Sequence, residues 1–404
     1  MRVLFCTDTY PPQVNGVSVV TALSVSGLSA RGWECAVVAP EYPATATDPF
    51  RSATGGTAER ERTSIASTAL PIYPETRVSA PDYPAVADAL RRFRPDLVHS
   101  ETEFIIGRMG QIAARAAAVP MTSSYHTDFA KYAAAYRLPW LTGGVSAYIG
   151  RFHRRSLRTY TPSGPARDYL RTIGVPNVEV WGRGVDLDSF GPERRSDALR
   201  RELGLEGRMA FLYAGRLAAE KGVQRILDAY RRLRTIVDPD SVRLVVAGGG
   251  PQEQSIRESL PDAVVLLGYL DRARDLPALY ASCDAFIFAS LTETLGLVVL
   301  EAMASGLPVI AAPAGGVADH LRDGENGLAY APSGVEEMAA AMARLTSDPQ
   351  LRRTLSYGAL RTAHALDWER ELDRLDVSLR EVVAATGRRS GAAAPEPQPV
   401  AGRA

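Results

Sequence analysis

Two glutamates in the second half of the chain have a spacing that suits a phosphorylated, polyhydroxylated ligand. Glu293 and Glu301 lie eight positions apart. The apolar segment 285–289 before them is typical of a buried strand, and the segment after Gly296 has the pattern of a helix. Carboxylates accept hydrogen bonds from sugar hydroxyls, and the free N–H groups at a helix start attract phosphate. Glutamate near a helix start is also common without any ligand, because it complements the helix dipole.

Two cations in the same half could bind phosphate. Arg216 follows the predicted strand Ala210–Ala214, and Lys221 precedes the next helix. Ligands of open α/β sheets bind at the carboxyl ends of the strands. Arginine can fork onto phosphate oxygens and lysine adds a point charge. The alternative is that both are solvated loop charges, as most arginines and lysines are.

The first half of the chain carries weaker candidates. Gly16 lies between a predicted strand and a helix, where a backbone without Cβ can approach a ligand closely. His126 ends another predicted strand and could hydrogen-bond a sugar hydroxyl or polarise a reacting oxygen; His99 ends a third. A lone histidine is more often a structural residue, and a glycine in such a loop is common.

Composition excludes several classes of protein. Acidic and basic residues balance at 46 each, which disfavours a general nucleic-acid binder. Cys6, Cys35 and Cys283 are scattered without a CxxC pair or a His/Cys cluster, so neither a disulfide framework nor a zinc site is indicated. We expect a cytoplasmic protein, because the chain starts directly with a predicted strand and lacks an apolar run of about 18 residues.

Short apolar strands alternate with amphipathic helices along the chain, which predicts parallel sheets with right-handed crossovers. Two such series in 404 residues predict two doubly wound domains, joined near 184–200. The segment 42–74, rich in Thr, Ser, Ala and Pro, is predicted as a long loop. The predicted strands are Val3–Thr7, Cys35–Ala39, Leu97–Ser100, Met121–Tyr125, Tyr160–Pro162, Ala210–Ala214, Arg243–Ala247, Val264–Leu267, Ala285–Ala289 and Val309–Ala312.

Longer strings around these residues resemble a known family. The run from Glu293 resembles the Glu-x7-Glu signature of retaining glycosyltransferases of family 4, with Leu295 where an aromatic or polar residue is more usual. The match continues through Ala302, Ala304, Gly306, Pro308 and Val309. The Gly-Arg-x4-Lys-Gly string at 215–222 resembles the donor-phosphate motif of the family, and the Pro-Pro-x3-Gly-Val string at 11–17 resembles its diphosphate loop.

The Tyr-His-Thr-Asp string at 125–128 resembles the cleft histidine of lipid-directed mannosyl- and sulfoquinovosyltransferases. The full match, from Arg2 to Ala385, is most similar to bacterial lipid-acting α-mannosyltransferases and plant-type sulfoquinovosyltransferases. After His99, the Ser-Glu pair at 100–101 departs from the more usual His-x-His arrangement.

The resemblance implies an α/β protein with the GT-B fold: two Rossmann-like doubly wound domains, an interdomain cleft and a C-terminal crossover helix. The implied ranges are 1–186 for an acceptor-binding domain, 187–367 for a nucleotide-sugar-binding domain, 368–386 for the returning helix and 387–404 for a disordered tail.

The resemblance also implies roles. Catalytic residues would be His126, Glu293, Arg216 and Lys221. Glu293 would hold the transferred sugar and Glu301 the ribose of the nucleotide. The other donor contacts would come from Gly16, from Gly268, Tyr269 and Leu270 near the base, and from the amides of Leu295, Gly296 and Leu297 at the phosphates.

No cofactor or metal is implied, since members of the family need no bound metal. Asp186-Leu187-Asp188 has the form of a metal-binding DxD but resembles the family's Gly-Val-Asp linker. Gly248-Gly249-Gly250 lacks the GxGxxG spacing of a dinucleotide loop.

The expected reaction is retaining transfer of a hexose, mannose from GDP-mannose as the first choice, by a front-face route. The acceptor is expected to be a lipid or glycolipid, because the acid-free segment 131–158 interleaves cations with aromatic residues and suits the anionic cytoplasmic leaflet. The alternatives are a UDP-sugar-dependent glucosyl- or GlcNAc-type transferase on a small molecule or polysaccharide, a sugar-nucleotide epimerase of the same architecture, and a non-catalytic nucleotide-sugar-binding subunit. A nucleic-acid partner is not expected.

Overall fold

The computed structural model describes residues 1–13, 15–43, 58–70, 73–128, 139–182, 184–332 and 334–387. Part of the predicted loop 42–74, the first part of the basic segment 131–158, and the predicted tail from 388 onward lie outside these residues.

The first half forms a parallel sheet in the order β3-β2-β1-β6-β7-β8-β9, with a separate antiparallel hairpin of β4 and β5. The strands are β1 Arg2–Cys6, β2 Glu34–Pro40, β3 Glu61–Ile65, β4 Ser67–Leu70, β5 Tyr73–Ser79, β6 Leu97–Ser100, β7 Met121–Ser124, β8 Arg158–Thr161 and β9 Val178–Val180. The helices are α1 Gly16–Ala30, α2 Tyr83–Phe93, α3 Ile105–Ala116, α4 Thr142–His153 and α5 Gly164–Thr172.

The second half forms a parallel sheet in the order β12-β11-β10-β13-β14-β15. The strands are β10 Met209–Ala214, β11 Val242–Ala247, β12 Val264–Gly268, β13 Ala285–Phe288, β14 Val309–Ala311 and β15 Gly327–Ala329. The helices are α6 Asp197–Glu202, α7 Val223–Leu233, α8 Glu253–Glu258, α9 Leu276–Ser282, α10 Leu297–Ala304, α11 Val335–Ser347, α12 Pro349–His364 and α13 Trp368–Ala385.

The topology determines where ligands can bind. Strand order reverses between β1 and β6 in the first sheet and between β10 and β13 in the second. At such switch points, the loops that leave neighbouring strands diverge to opposite faces and leave a crevice at the carboxyl edge. The predicted site residues Gly16, Arg216, Lys221 and Glu293 all follow one of these four strands.

The last helix, α13, returns to the first domain. Its apolar side, including Leu372 and Leu379, packs in one buried cluster with Val3 and Phe5 of β1. Arg31, at the end of α1, adds ion pairs to Glu369 and Asp373 of α13, with N–O distances of 2.9 and 2.7 Å. The crossover helix is therefore part of the core of the first domain.

The structure corrects the predicted long loop 42–74, because β3, β4 and the start of β5 lie within it. β3 is an edge strand whose residues are mostly half-buried, so its sequence is polar rather than apolar. The short edge strands β9 and β15 were also not predicted, since each has only three residues. Edge strands lack the long apolar runs by which central parallel strands are identified.

Candidate active site

The loops after β10 and β13 bring together the residues that were predicted to bind phosphate and sugar. The Lys221 ammonium donates to Glu293 Oε1, and the two side chains are 15% and 18% exposed. Arg216 pairs with the buried carboxylate of Glu220 and also acts electrostatically on Glu293. Burial alone would raise the pKa of Glu293, but Lys221, together with Ser290 and Arg216, outweighs burial and lowers the pKa below its usual value. Glu293 is therefore an ionised hydrogen-bond acceptor at neutral pH.

The start of α10 lies directly after Glu293. Gly296 precedes the helix with a φ of 79°, a left-handed conformation that favours glycine. No side chain caps this helix, and its first turn contains no acidic residue. The backbone N–H groups of the first turn are thus not used by a protein side chain, which suits the binding of an anion.

Glu301, on α10, is 2% exposed. Its Oε1 accepts from Arg272 Nε at 2.9 Å and from Nη2 at 2.7 Å, and its Oε2 accepts from the Tyr280 hydroxyl at 3.4 Å. The Arg272 guanidinium also lies over the ring of Phe190, 5.2 Å from its centroid. Burial raises the pKa of Glu301, and Arg272 offsets only part of that effect. Sequence reasoning found Glu301 but missed Arg272, which is 29 positions away.

The predicted base-binding residues end β12. Gly268 is the last residue of the strand, Tyr269 is 64% exposed, and Leu270 packs at the edge of the second domain's core. The neighbouring glycine loop after β11 has a packing role: a Cβ on Gly248 would lie 1.9 Å from the Gly215 carbonyl oxygen. The glycines therefore let the loops after β10 and β11 approach each other.

In the first domain, His126 follows β7, and its Nε2 lies 2.6 Å from Glu101 Oε2. Thr294, from the second domain, donates its hydroxyl to the backbone carbonyl of His126. The loop that carries Glu293 thus contacts His126, the histidine that was predicted as a site residue of the first domain. Gly16 begins α1, where the Asn15 side chain accepts from Ser18 N at 2.9 Å, and a Cβ on Gly16 would meet no atom within 4 Å.

Comparison with known proteins identifies the family. The family model described as Glycosyltransferase Family 4 matches residues 14–189, and Glycosyl transferases group 1 matches residues 195–362. A GDP-mannose-dependent alpha-mannosyltransferase from Mycolicibacterium smegmatis is 34% identical over 391 residues, which cover 96% of this chain and 99% of the relative. The chain belongs to glycosyltransferase family 4.

Two further relatives of this glycosyltransferase are 29% identical to it. The sulfoquinovosyl transferase SQD2 of Arabidopsis thaliana matches over 74% of this chain and 59% of its own length. An alpha-monoglucosyldiacylglycerol synthase from Streptococcus pneumoniae matches over 77% of this chain and 71% of its own length. The resemblance to mannosyl- and sulfoquinovosyltransferases predicted from the sequence is confirmed.

The fold prediction is confirmed as well. The crystal structure of Anabaena HepE in complex with UDP-glucose superposes on the glycosyltransferase with a TM-score of 0.73, over 94% of this chain and 99% of that one, at 20% identity. The two parallel sheets and the crossover helix are those of the GT-B fold.

The Asp186–Asp188 segment of the glycosyltransferase has a structural explanation. Asp186 accepts from Ser189 N at 3.0 Å and from Ser189 Oγ at 2.7 Å, which fixes the turn before α6. Among the described residues, no group of three or more His, Cys, Asp and Glu could hold a metal ion. In the same part of the chain, none of the helices is both long and apolar enough to cross a membrane.

Proposed function

We propose that this glycosyltransferase transfers mannose from GDP-mannose to a hydroxyl of a lipid or glycolipid, with retention of the anomeric configuration and without a bound metal. The observation that carries the proposal is the convergence of Lys221, Arg216 and Glu293 beside the uncapped start of α10. The near full-length relative named as a GDP-mannose-dependent alpha-mannosyltransferase supports the choice of donor.

The proposed roles follow from the charges that develop as the sugar leaves. Breaking the bond between the anomeric carbon and the phosphate oxygen puts negative charge on the diphosphate. Arg216, Lys221 and the amides of Leu295, Gly296 and Leu297 supply fixed positive charge and dipoles for it. These groups perform the neutralisation that a divalent cation performs in other phosphate sites.

Glu293 and Glu301 would then bind the two sugars of the donor. Glu293 is ionised and held by Lys221, so it can accept hydrogen bonds from the hydroxyls of the transferred sugar. Glu301 would accept from the ribose, and Gly268, Tyr269 and Leu270 would lie near the base. The ion pair with Lys221 favours a binding role for Glu293 over that of a nucleophile. The donor phosphate itself would take the acceptor proton on the face from which it leaves.

A lipid acceptor is supported by a cationic surface on the first domain. Arg108 and Arg115 of α3 and Arg151 of α4 all lie near Arg155. Burial, together with the positive charges of these three arginines, lowers the pKa of Arg155. Four like charges in one cluster favour an anionic partner, and each adds about 1 kcal/mol of attraction to an anionic membrane surface.

Exposed apolar side chains lie on α3 and α4, the helices that carry three of these arginines, or directly before them. Phe104, Ile112 and Tyr148 are 45%, 43% and 42% exposed, and Trp140 is 75% exposed. A surface that combines cations with aromatic groups suits the interface of an anionic bilayer. Of the basic segment 131–158, residues 131–138 lie outside the described residues.

The donor is tested by incubating the purified protein with GDP, UDP and their mannose, glucose and N-acetylglucosamine derivatives. We expect GDP and GDP-mannose to raise the melting temperature more than the uridine compounds, and GDP-mannose with a lipid extract to release GDP. Product NMR should show an α-linked mannose. Preferential use of a UDP-sugar would contradict the donor assignment, and release of free sugar without any acceptor would favour the epimerase alternative.

The membrane surface is tested by sedimentation with phosphatidylcholine vesicles that contain or lack phosphatidylglycerol. We expect the protein to sediment only with the anionic vesicles, and the double variant Arg151→Glu/Arg155→Glu to remain in the supernatant. Arg353→Glu, on the exposed side of α12, is the matched control and should sediment as the wild type does. Equal sedimentation of the double variant would contradict the assignment.

A further inference from the structure

Two buried carboxylates follow β6 at the switch point of the first sheet. Glu101 and Glu103 are 1% and 2% exposed. Ionised groups so deep in a protein are costly unless they are paired. Each has a histidine as its partner: His126 for Glu101 and His153 for Glu103. These pairs could not be predicted from the sequence, because the partners come from later segments of the chain.

The Glu101 carboxylate lies between two imidazoles. His126 Nε2 is 2.6 Å from its Oε2, and His99 Nε2 is 3.5 Å from its Oε1. His99 is itself held in place, with Nδ1 at 2.8 Å from Thr122 Oγ1 and Nε2 at 2.9 Å from Ser124 Oγ. Burial alone would raise the pKa of Glu101, but the two histidines outweigh it and hold the pKa well below its usual range. Glu101 is therefore a fixed carboxylate at neutral pH.

A carboxylate can only accept hydrogen bonds, so the pairing requires the proton of His126 to sit on Nε2. Among the described residues, His126 Nδ1 has no hydrogen-bond partner. The backbone of His126 is bonded to Thr294 on the other side of the cleft. Nδ1 is thus the ring nitrogen available to a ligand. His126 itself lies next to the loop that carries Glu293.

We propose that Glu101 is a positioning residue for glycosyl transfer, which holds His126 with its proton on Nε2 and leaves Nδ1 to accept a hydrogen bond from a substrate hydroxyl. Fixing the tautomer excludes the alternative in which Nδ1 carries the proton. In that tautomer Nδ1 would have no lone pair to accept the hydrogen bond of the hydroxyl. The inference rests on the proposed function for its kinetic readout, but the tautomer can be observed without turnover.

Glu103 provides a matched control within the same loop. Its Oε1 lies 3.0 Å from His153 Nε2, and His153 Nδ1 lies 2.8 Å from Ser123 Oγ. Both nitrogens of this fully buried ring therefore have protein partners, and none is left for a ligand. The Glu103–His153 pair has the same residue types and nearly the same burial, but its role is structural.

The test compares Glu101→Gln with Glu103→Gln in melting temperature, kcat and KM for GDP-mannose. We expect both variants to lose similar thermal stability. Only Glu101→Gln should lose kcat, by roughly 10- to 100-fold, the range that is typical when the partner that orients a metal-bound histidine is removed. The KM for the donor should stay within about threefold. Glu101→Asp, which keeps the charge, should recover part of the lost kcat, and it also serves if Glu101→Gln does not fold.

Long-range ¹H–¹⁵N spectra of the imidazole rings provide the independent readout. The resonances of His126 are assigned by their loss in His126→Gln. We expect the wild type to show a proton on Nε2, and Glu101→Gln to show the tautomer with the proton on Nδ1. An unchanged kcat in Glu101→Gln, or an equal loss in Glu103→Gln, would overturn the proposal, as would a wild-type ring with its proton on Nδ1. A wild type with the expected tautomer but no turnover would instead overturn the proposed function alone.

Discussion

The two sides of the cleft use carboxylates in different ways. In the second domain, Glu293 and Glu301 are paired with Lys221 and Arg272, which are permanently charged at neutral pH. In the first domain, Glu101 is paired with a histidine, whose charge and tautomer can change. Both sets lie at the carboxyl edge of a parallel sheet, so the fold does not account for the difference. The proposed chemistry would account for it, because fixed cations suit a diphosphate and an oriented imidazole suits a hydroxyl.

The largest effect is expected from removing the fixed cations. Lys221→Ala and Arg216→Ala should each lower kcat/KM for the donor by roughly 100- to 1000-fold, since in the proposed mechanism each removes a positive charge at the place where the leaving group becomes negative. Steady-state kinetics measure the effect. Arg231→Ala, which removes an exposed ion pair on α7, should stay within about twofold. A loss below about tenfold in both active-site variants would contradict the proposed role.

Removing Arg272 tests the second fixed pair. Arg272→Met should lower the free energy of unfolding by about 3 kcal/mol at neutral pH, because it leaves the Glu301 carboxylate buried without its cation. Denaturant titration measures this loss. Arg274→Met is the control, because the Arg274 side chain is 80% exposed and its pairing with Asp275 should contribute little. Equal stabilities of the two variants would show that the Arg272–Glu301 pair is not needed for folding.

A smaller effect distinguishes the two glutamates by the sign of their pH dependence. The pKa of Glu293 is lowered in the folded state, so its contribution to stability is present above its unfolded pKa and is lost as the pH falls. The pKa of Glu301 is raised, so its contribution is present at low pH and is lost as the pH rises through the folded pKa.

Relative to wild type, Glu293→Gln should therefore become progressively less destabilising on acidification. Glu301→Gln should become progressively less destabilising as the pH rises from acidic to neutral. Denaturant titrations over that pH range measure both trends. The same sign in the two variants would show that one of the two carboxylates is not in the state assigned to it.

The central architecture was predictable because its signals are local. The strands β1, β10, β11 and β13 are apolar runs, and such runs arise when a parallel strand is buried on both faces. Family motifs around Arg216, Lys221 and Glu293 follow these strands directly. The sequence therefore predicted the family and the GT-B fold. The structure brings the predicted residues Lys221 and Glu293 together, and their role in donor binding stays a prediction.

Features that depend on distant residues were not predictable. Helix α3 begins at Ile105, where the Asp8 carboxylate, 98 positions away, accepts from Ile106 N at 2.8 Å. Glu101 was recognised only as a departure from a histidine pattern, since its partner His126 follows another strand. The roles of Gly16, Gly268, Tyr269 and Leu270 stay predictions, as do those of the other predicted site residues and the domain boundaries.

The most direct test of the account is calorimetric titration of GDP and guanosine into the wild type and the double variant Arg216→Ala/Lys221→Ala. We propose that the second domain binds the diphosphate through these cations. In the wild type, GDP should bind far more tightly than guanosine. In the double variant, that difference should largely disappear while guanosine affinity stays the same. Undiminished GDP affinity in the double variant would contradict the account.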